Sequence, residues 1–156
     1  MIALRPACLD DIPALWALRT RAVAHACTAH YPAPVMAAWL AAPAPDSLPH
    51  LLAAGGGVVA LDDGRMLGYA VLDAPSGEVD AVFVEPGAHG RGIGSLLLRA
   101  LERMALDAGR ERLFLSASLN AVPFYRHAGF HALREEMYPH RSGVAIASVY
   151  MEKPIG

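Results

Sequence analysis

The sequence has 156 residues, of which 54% are hydrophobic and 18% are charged, and its formal net charge is -2. This composition excludes a disordered chain and predicts a single globular domain over residues 1–156. The small negative charge gives no reason to expect nucleic acid as a partner. Because no apolar run approaches about 18 residues and no signal peptide precedes Asp10, we expect a cytoplasmic protein without a membrane span.

The first third of the chain is predicted to be mainly helical. A short strand over residues 2–5 comes first, and Asp10 or Asp11 then offers an N-cap for the first helix. Apolar residues at helical spacing and proline breaks predict helices over residues 11–27, 33–42 and 48–53. The two cysteines, Cys8 and Cys27, lie outside any Cys-x-x-Cys pair, so we expect both thiols to be reduced.

The rest of the chain alternates between strands and helices. Asp63-Gly64 and Pro75-Ser76-Gly77 are turn sequences that predict an antiparallel meander. A long amphipathic helix follows, and a short helix is expected between an Asn120 N-cap and Gly129. The predicted strands cover residues 57–61, 66–73, 78–84, 112–117, 130–137 and 144–152, and the long helix covers residues 92–108.

A glycine-rich loop, "HGRGIGS" over residues 89–95, lies where the third meander strand gives way to the long helix. The first amides of a helix have no internal partners and can hold an anion, and glycines let a phosphate approach the backbone. Arg91 could add positive charge. Ordinary turn glycines are the alternative. A Walker loop is excluded because no Gly-Lys-Ser/Thr triplet is present, and a dinucleotide site is disfavoured because the preceding strands are antiparallel.

Two stretches give a resemblance to a known family. Residues 84–97, "VEPGAHGRGIGSLL", resemble motif A of the GNAT superfamily of N-acetyltransferases, with Gly92 and Gly94 at its glycine positions and His89 where Gln or Arg is usual. Residues 118–130, "SLNAVPFYRHAGF", resemble the family's second signature, in which Pro123 replaces an alanine. The resemblance covers essentially the whole chain.

The resemblance implies an α+β fold, with a mixed, mostly antiparallel sheet of six to seven strands and helices on both faces, in the order β-α-α-β-β-β-α-β-α-β-β. It also implies transfer of an acetyl group from acetyl-CoA to a small-molecule amine or peptide within a ternary complex. Tyr125 is the candidate acid for the departing thiolate, and a core role is its alternative. The residues expected to contact coenzyme A are Val82, Phe83, Val84, His89, Gly90, Arg91, Gly92, Ile93, Gly94, Ser95, Asn120, Phe124 and Tyr125.

The catalytic base that would take a proton from the amine is less well defined. Strand alternation predicts that Glu78, Asp80, Val82 and Val84 share one face. By resemblance Glu78 matches the base of the histone-acetylating branch, whereas Asp80 lies nearer the thioester, and a surface role is the alternative for each. His25, His30 and Tyr31, in the region that usually forms the acceptor wall, are further candidates for the base or for acceptor contacts; surface or packing roles are their alternative.

Other interpretations of the sequence stay open. No metal site is expected, because the seven histidines are scattered. A CoA-binding sensor without catalysis and an unrelated nucleotide-binding enzyme are the rival functions. Neither charge nor motif selects the acceptor, and a homodimer is left open.

Overall fold

A seven-stranded sheet runs through the whole chain in the order β1-β2-β3-β4-β5-β7-β6. The computed structural model describes all residues from Met1 to Gly156. The strands are β1 (Ile2–Pro6), β2 (Gly57–Asp62), β3 (Arg65–Asp73), β4 (Glu78–Val84), β5 (Arg112–Ser118), β6 (His131–Pro139) and β7 (Ala145–Pro154). The helices are α1 (Ile12–Cys27), α2 (Ala33–Ala41), α3 (Ser47–Ala53), α4 (Ile93–Asp107) and α5 (Val122–His127).

The predicted fold class is confirmed. Every neighbouring pair of strands is antiparallel except β4 and β5. Helices α4 and α5 bury one face of the sheet around Leu97, Leu101 and Tyr125, whereas α1 and α3 cover the other face around Leu15, Leu18 and Leu52. No helix combines the length and the apolar character that a bilayer crossing would need.

The parallel pair of strands determines the shape of the molecule. Strands β4 and β5 are in register only at Glu78 and Phe114. Beyond that pair the strands diverge, while β5 stays fully paired with β7 from Arg112 to Ser118. The sheet therefore opens into a wedge between β4 and β5, and the facing backbone groups of both strands are left without sheet partners.

A β-bulge corrects the prediction for the face of β4. The register with β3 moves from Val71–Ala81 to Leu72–Val79, so Asp80 has no opposite residue. An extra residue of this kind breaks the alternation of side chains. As a result Val79 belongs to the same core cluster against which Val82 and Val84 pack. The expectation that Asp80 shares a face with Val82 and Val84 is wrong.

Asp11 occupies the predicted N-cap position of α1 without a side-chain cap, and the cap predicted at Asn120 is not formed. The Asp11 side chain does not cap α1, since it accepts hydrogen bonds from the Cys8 amide at 2.8 Å and from Arg5 at 2.8 and 2.9 Å. Asn120 is not the N-cap of the short helix, because a 3-10 turn over Leu119–Ala121 comes first and α5 begins at Val122.

The end of α5 holds Tyr125 in place. Gly129 adopts φ +100°, and the Phe130 amide donates to the Tyr125 carbonyl at 3.0 Å. This is the Schellman arrangement, in which glycine supplies the left-handed residue after the helix. The Tyr125 and Phe130 rings then pack edge to face, with their centroids 5.5 Å apart. The Gly-Phe end of the second signature therefore fixes the position of its tyrosine.

The substitution Gly129→Ala is expected to lower the free energy of unfolding by about 1–2 kcal/mol, because a Cβ disfavours left-handed backbone. Urea denaturation at equilibrium measures this change. The control is Gly87→Ala, at a glycine without positive φ where an added Cβ would have no atom within 4 Å, and it should change stability by no more than about 0.5 kcal/mol. Equal effects of the two substitutions would contradict the role of this cap.

Candidate active site

The wedge between β4 and β5 forms a cleft of about 570 Å³. Its walls are β4, the loop before α4, the start of α4, β5 and α5, with α1 closing one side. Of the residues predicted to act, those that line it are Glu78, Asp80, Val82, Phe83, Val84, His89, Gly90, Gly92, Ile93, Gly94, Ser95, Asn120, Phe124 and Tyr125. The topology therefore brings nearly the whole predicted set to one place.

The glycine loop offers a row of free amide donors at the cleft. No backbone amide from His89 to Ser95 donates to a backbone oxygen, and the first amide of α4 that does so is that of Leu96. Gly90 and Gly92 have φ values of +85° and +74°, and Gly92 directly precedes the helix. These free amides lie at the positive end of the α4 dipole, so this part of the cleft is suited to a polyphosphate.

Gly94 has a different function from the other two glycines. A Cβ at this position would lie 3.1 Å from two atoms of the Phe124 ring and 3.7 Å from Val84. The glycine therefore lets Phe124 pack directly against the start of α4. This contact joins the two signatures of the sequence, since Phe124 precedes Tyr125 on α5.

The arginine of the loop forms an ion pair outside the cleft. The Arg91 guanidinium pairs with Asp62 at 2.8 Å, and Arg91 does not line the cleft. His89 is exposed, and its ring stacks on that of His25 with centroids 6.0 Å apart. Binding of an anion here would therefore depend on backbone amides more than on side chains.

Tyr125 presents a free hydroxyl to the cleft. The residue is 8% exposed, and burial raises the pKa of its phenol. No hydrogen bond within the chain uses this hydroxyl, yet no buried side-chain nitrogen or oxygen atom lacks a partner. The hydroxyl must therefore reach the open space of the cleft, where it stays protonated at neutral pH and can donate.

The two acids of β4 have raised pKa values. For Asp80 the main cause is burial of the carboxylate by surrounding protein, although one side of the residue is open to the cleft, and Asp73 adds repulsion. For Glu78 the causes are burial and then repulsion by Asp80 and Asp73. A carboxylate with a raised pKa is a stronger base than an ordinary surface acid.

A second, smaller pocket of about 380 Å³ adjoins the cleft at Asp80. Asp80 and Phe83 line both spaces, whereas Glu78 lines the cleft alone. The second pocket reaches under α1 and α2, the side of the molecule on which the sequence predicted the acceptor wall. Its other lining residues include Trp16, Arg19, Trp39, Tyr69, His140 and Arg141.

The histidine that faces the two spaces is one that the sequence did not indicate. His140 lines both of them, and burial, Arg141 and Arg19 lower its pKa. Its Nδ1 accepts from the Ser142 amide at 3.2 Å, which leaves Nε2 as the protonated nitrogen. Before β6 and β7 were known to form a hairpin, nothing in "YPHRSG" indicated that this loop returns to the cleft.

The predicted histidines of the first helix and its following loop lie elsewhere. His25 and His30 are exposed and do not line the cleft. Tyr31 is buried, and its hydroxyl donates to the Ala147 carbonyl at 2.6 Å and accepts from the Leu119 amide at 2.9 Å. Tyr31 therefore ties the end of α1 to β7 and to the turn after β5.

Cys27 and Asn120 form a contact in the wall of the cleft. The Cys27 thiol donates to Asn120 Oδ1 at 3.1 Å, and burial raises the pKa of this thiol to about 11. A thiol with that pKa is protonated at neutral pH, so Cys27 is not a nucleophile. Asn120 therefore has a structural contact in addition to its place at the cleft.

The comparisons with known proteins agree with this architecture. Residues 27–152 match the family described as "Acetyltransferase (GNAT) domain". A solved GCN5-related N-acetyltransferase from Rhodopseudomonas palustris has 28% identity and a TM-score of 0.87, with 98% of this chain and 95% of that chain covered. The fold is also similar to that of PaiA N-acetyltransferase from Thermoplasma acidophilum in complex with coenzyme A, at 16% identity, a TM-score of 0.74 and 99% coverage of both chains.

Two curated relatives match over shorter segments. An uncharacterized N-acetyltransferase, YjcF of Bacillus subtilis, is 32% identical over 62 residues, which are 40% of this chain and 44% of the relative. A mycothiol acetyltransferase of Nocardiopsis dassonvillei is 38% identical over 82 residues, which are 49% of this chain and 24% of the relative. The chain therefore matches less than half the length of either protein.

Alkylation by iodoacetamide at pH 8 is expected to separate the two cysteines. Cys8 is exposed and Cys27 is buried, and a pKa of about 11 leaves roughly 0.1% of Cys27 as thiolate at that pH. Cys27 should react at least about 100-fold more slowly than Cys8, as followed by peptide mass spectrometry. Unfolding in urea is the control, since it should make the rates similar, and similar rates in the folded protein would contradict the assignment.

Proposed function

Because this chain belongs to the GNAT acetyltransferase family, we propose that it moves an acetyl group from acetyl-CoA to an amine by direct attack within a ternary complex. The observation that carries the proposal is the opening of the sheet between β4 and β5. One cleft thereby contains free amides for a phosphate, a carboxylate at Asp80 and a phenol at Tyr125. These are the groups that acetyl transfer from a thioester to an amine requires.

Coenzyme A fits this cleft through backbone groups. The free amides from His89 to Ser95 would hold the pyrophosphate. The backbones of Val82 and Val84, which have no sheet partner on the β5 side, would pair with the amides of the pantetheine arm. A protein of similar fold from Thermoplasma acidophilum was solved in complex with coenzyme A, which supports coenzyme A as the ligand.

Asp80 is the better candidate for the base. It lies where the cleft meets the second pocket, so an amine in that pocket would approach the thioester past this carboxylate. An alkyl ammonium has a pKa near 10 and must lose a proton before its nitrogen can attack. Asp80, either directly or through a water molecule, takes this proton.

The transfer then proceeds without a covalent enzyme intermediate. The amine nitrogen forms a bond to the acetyl carbon while the bond from carbon to sulfur breaks, and the sulfur leaves as a thiolate. Tyr125 donates its hydroxyl proton to that sulfur, because burial keeps the phenol protonated. The nitrogen loses its remaining excess proton to water as the amide forms, and the Tyr125 phenolate regains a proton from solvent. The enclosed cleft also holds the two reactants together, which lowers the entropic part of the barrier.

A CoA-binding module without catalysis is the rival function. The same amides would bind coenzyme A in such a module. It would have no need for a Tyr125 hydroxyl without a hydrogen-bond partner, or for the Asp80 carboxylate where the cleft meets the second pocket. Tight binding of CoA with no release of thiol across a broad panel of amines would favour the module. Thiol release that depends on the amine favours the enzyme.

The substitution Tyr125→Phe is expected to lower kcat by about 100-fold or more, because it removes the acid but keeps the packing of the ring. Thiol release from acetyl-CoA measures this rate. The matched control is Tyr150→Phe, at a tyrosine on β7 whose hydroxyl contacts Arg112 and Glu152 and which does not line the cleft. An unchanged kcat for Tyr125→Phe would reject the acid role.

The dependence of kcat/KM on pH should identify the base. Because its folded pKa is raised, Asp80 should give an acidic limb above the ordinary aspartate value of about 3.9, with activity increasing as the carboxylate loses its proton. Asp80→Asn should abolish this limb and lower kcat/KM by about 100-fold or more. Glu78→Gln should retain the limb. The opposite pattern would assign the base to Glu78.

A further inference from the structure

We propose that the second pocket binds a carboxylate of the acceptor, so that the acceptor is a small molecule with both an amine and a carboxylate, of the amino acid type. This inference rests on the proposed acetyl transfer and names its acceptor class. Three donors carry the argument: the guanidinium groups of Arg19 and Arg141 and the hydroxyl of Tyr69. All three residues line this pocket.

Arg19 is a buried cation without an anionic partner. It is 2% exposed, and the structure's ion pairs include neither Arg19 nor Arg141. The guanidinium donates to the Trp39 carbonyl at 2.7 Å and to Thr20 Oγ1 at 3.4 Å, and it lies 4.3 Å from the centre of the Trp16 ring. A buried arginine is ordinarily paired, because removing an uncompensated charge from water is costly.

Two hydrogen-bond donors of residues that line the pocket have no partner within the chain. Arg19 Nε and the Tyr69 hydroxyl make no hydrogen bond within the chain, although Tyr69 is only 1% exposed. Since no fully buried side-chain nitrogen or oxygen atom lacks a partner, both atoms keep a little accessible surface, and the second pocket is the open space that their residues line. Burial raises the pKa of Tyr69, so its hydroxyl keeps the proton that it would donate.

Arg141 adds a second positive charge to the same place. Its guanidinium lies 5.7 Å from the centre of the Trp16 ring, on which Arg19 also stacks. The two guanidinium groups repel, since Arg141 contributes to lowering the pKa of Arg19. Asp80 is the only acidic residue that lines the pocket, and burial together with Arg141 and Arg19 lowers the pKa of His140, which disfavours its charged form. Two cations against one acid leave an excess of positive charge.

The arrangement of charges gives the acceptor its orientation. Asp80 lies at the junction with the cleft, so the amine would lie there, while the opposite charge of the molecule points toward Arg19, Tyr69 and Arg141. A planar guanidinium presents parallel N–H donors that match the two oxygen atoms of a carboxylate. The volume of about 380 Å³ suits a small molecule. We therefore expect the amine and the carboxylate to lie in one compact acceptor.

Acceptor molecules that differ only in the carboxylate test whether the acceptor is of the amino acid type. Thiol release from acetyl-CoA is measured with amino acids that differ in the spacing of amine and carboxylate, each compared with its carboxamide and with the decarboxylated amine. At least one amino acid should exceed both neutral counterparts by about 100-fold in kcat/KM. Equal or better activity with the neutral amines would overturn the inference, and so would a preference for aminophosphonates over the matching carboxylates.

Variants test the pocket itself. Arg141→Gln, at an exposed residue, and Tyr69→Phe, which keeps the ring, should each raise KM for the preferred amino acid by about tenfold and leave the neutral amines unaffected. Arg99→Gln, at an exposed position on α4 outside the cleft and the second pocket, is the control. It should change neither the KM for the amino acid nor the kinetics with the neutral amines. Equal losses for charged and neutral acceptors would mean that these residues have only a structural role.

Calorimetry separates this inference from the proposed function. The preferred amino acid is titrated into the complex with coenzyme A, and its Kd should rise about tenfold in Arg141→Gln while the Kd for coenzyme A stays constant. Transfer to neutral amines alone would overturn the carboxylate pocket and keep the acetyltransferase. Amino acid binding without turnover would overturn the acetyltransferase and keep the pocket, and the absence of both would overturn the two together.

Discussion

A bulge at Asp80 bends β4 directly after its single pairing with β5, and the candidate site depends on the divergence that follows. If the two strands stayed paired, their backbone groups would bond to each other and the cleft would close. The bulge also turns the Asp80 side chain away from the core that Val79, Val82 and Val84 share, toward the second pocket. One irregularity in the ladder thus opens the site and places an acid at its centre.

The site combines two kinds of polar group that the fold keeps available. The amides from His89 to Ser95 have no partner because a helix start follows a turn with left-handed glycines. The Asp80 carboxylate and the Tyr125 phenol instead lie in the walls of the cleft, where the surrounding protein shifts both pKa values upward. The first kind is suited to binding of phosphate and the second to movement of protons.

Much of this fold was predictable because its signals are local. Apolar periodicity and turn sequences such as Asp63-Gly64 identified the strands and helices, and the two signatures located the loop and Tyr125. The bulge was not predictable, since alternation assumes regular pairing and only the register with β3 shows the extra residue. The ion pair of Arg91 was not predictable either, since its partner, Asp62, lies at the end of β2, far away in the sequence.

The second pocket could not be predicted from the sequence, for a related reason. Arg19 lies within an ordinary amphipathic pattern on α1, where an arginine is normally solvated, and Tyr69 has the pattern of a core residue of β3. Only the packing of α1 and α2 over the sheet shows that these two side chains are buried and keep hydrogen-bond donors without a partner in the chain. A charge that lacks a partner is a property of three-dimensional surroundings, and no spacing rule encodes it.

The unpaired stretches of β4 and β5 have a consequence for solubility and for the stability of the fold. Exposed strand edges can pair with other chains, but these two edges face each other across the cleft. An extended molecule that occupies the gap would take the place of a missing strand and bond to both sides. Occupancy would then add to the free energy of unfolding in proportion to the logarithm of ligand concentration, so the fold would become more stable as the molecule that fills the gap becomes more abundant.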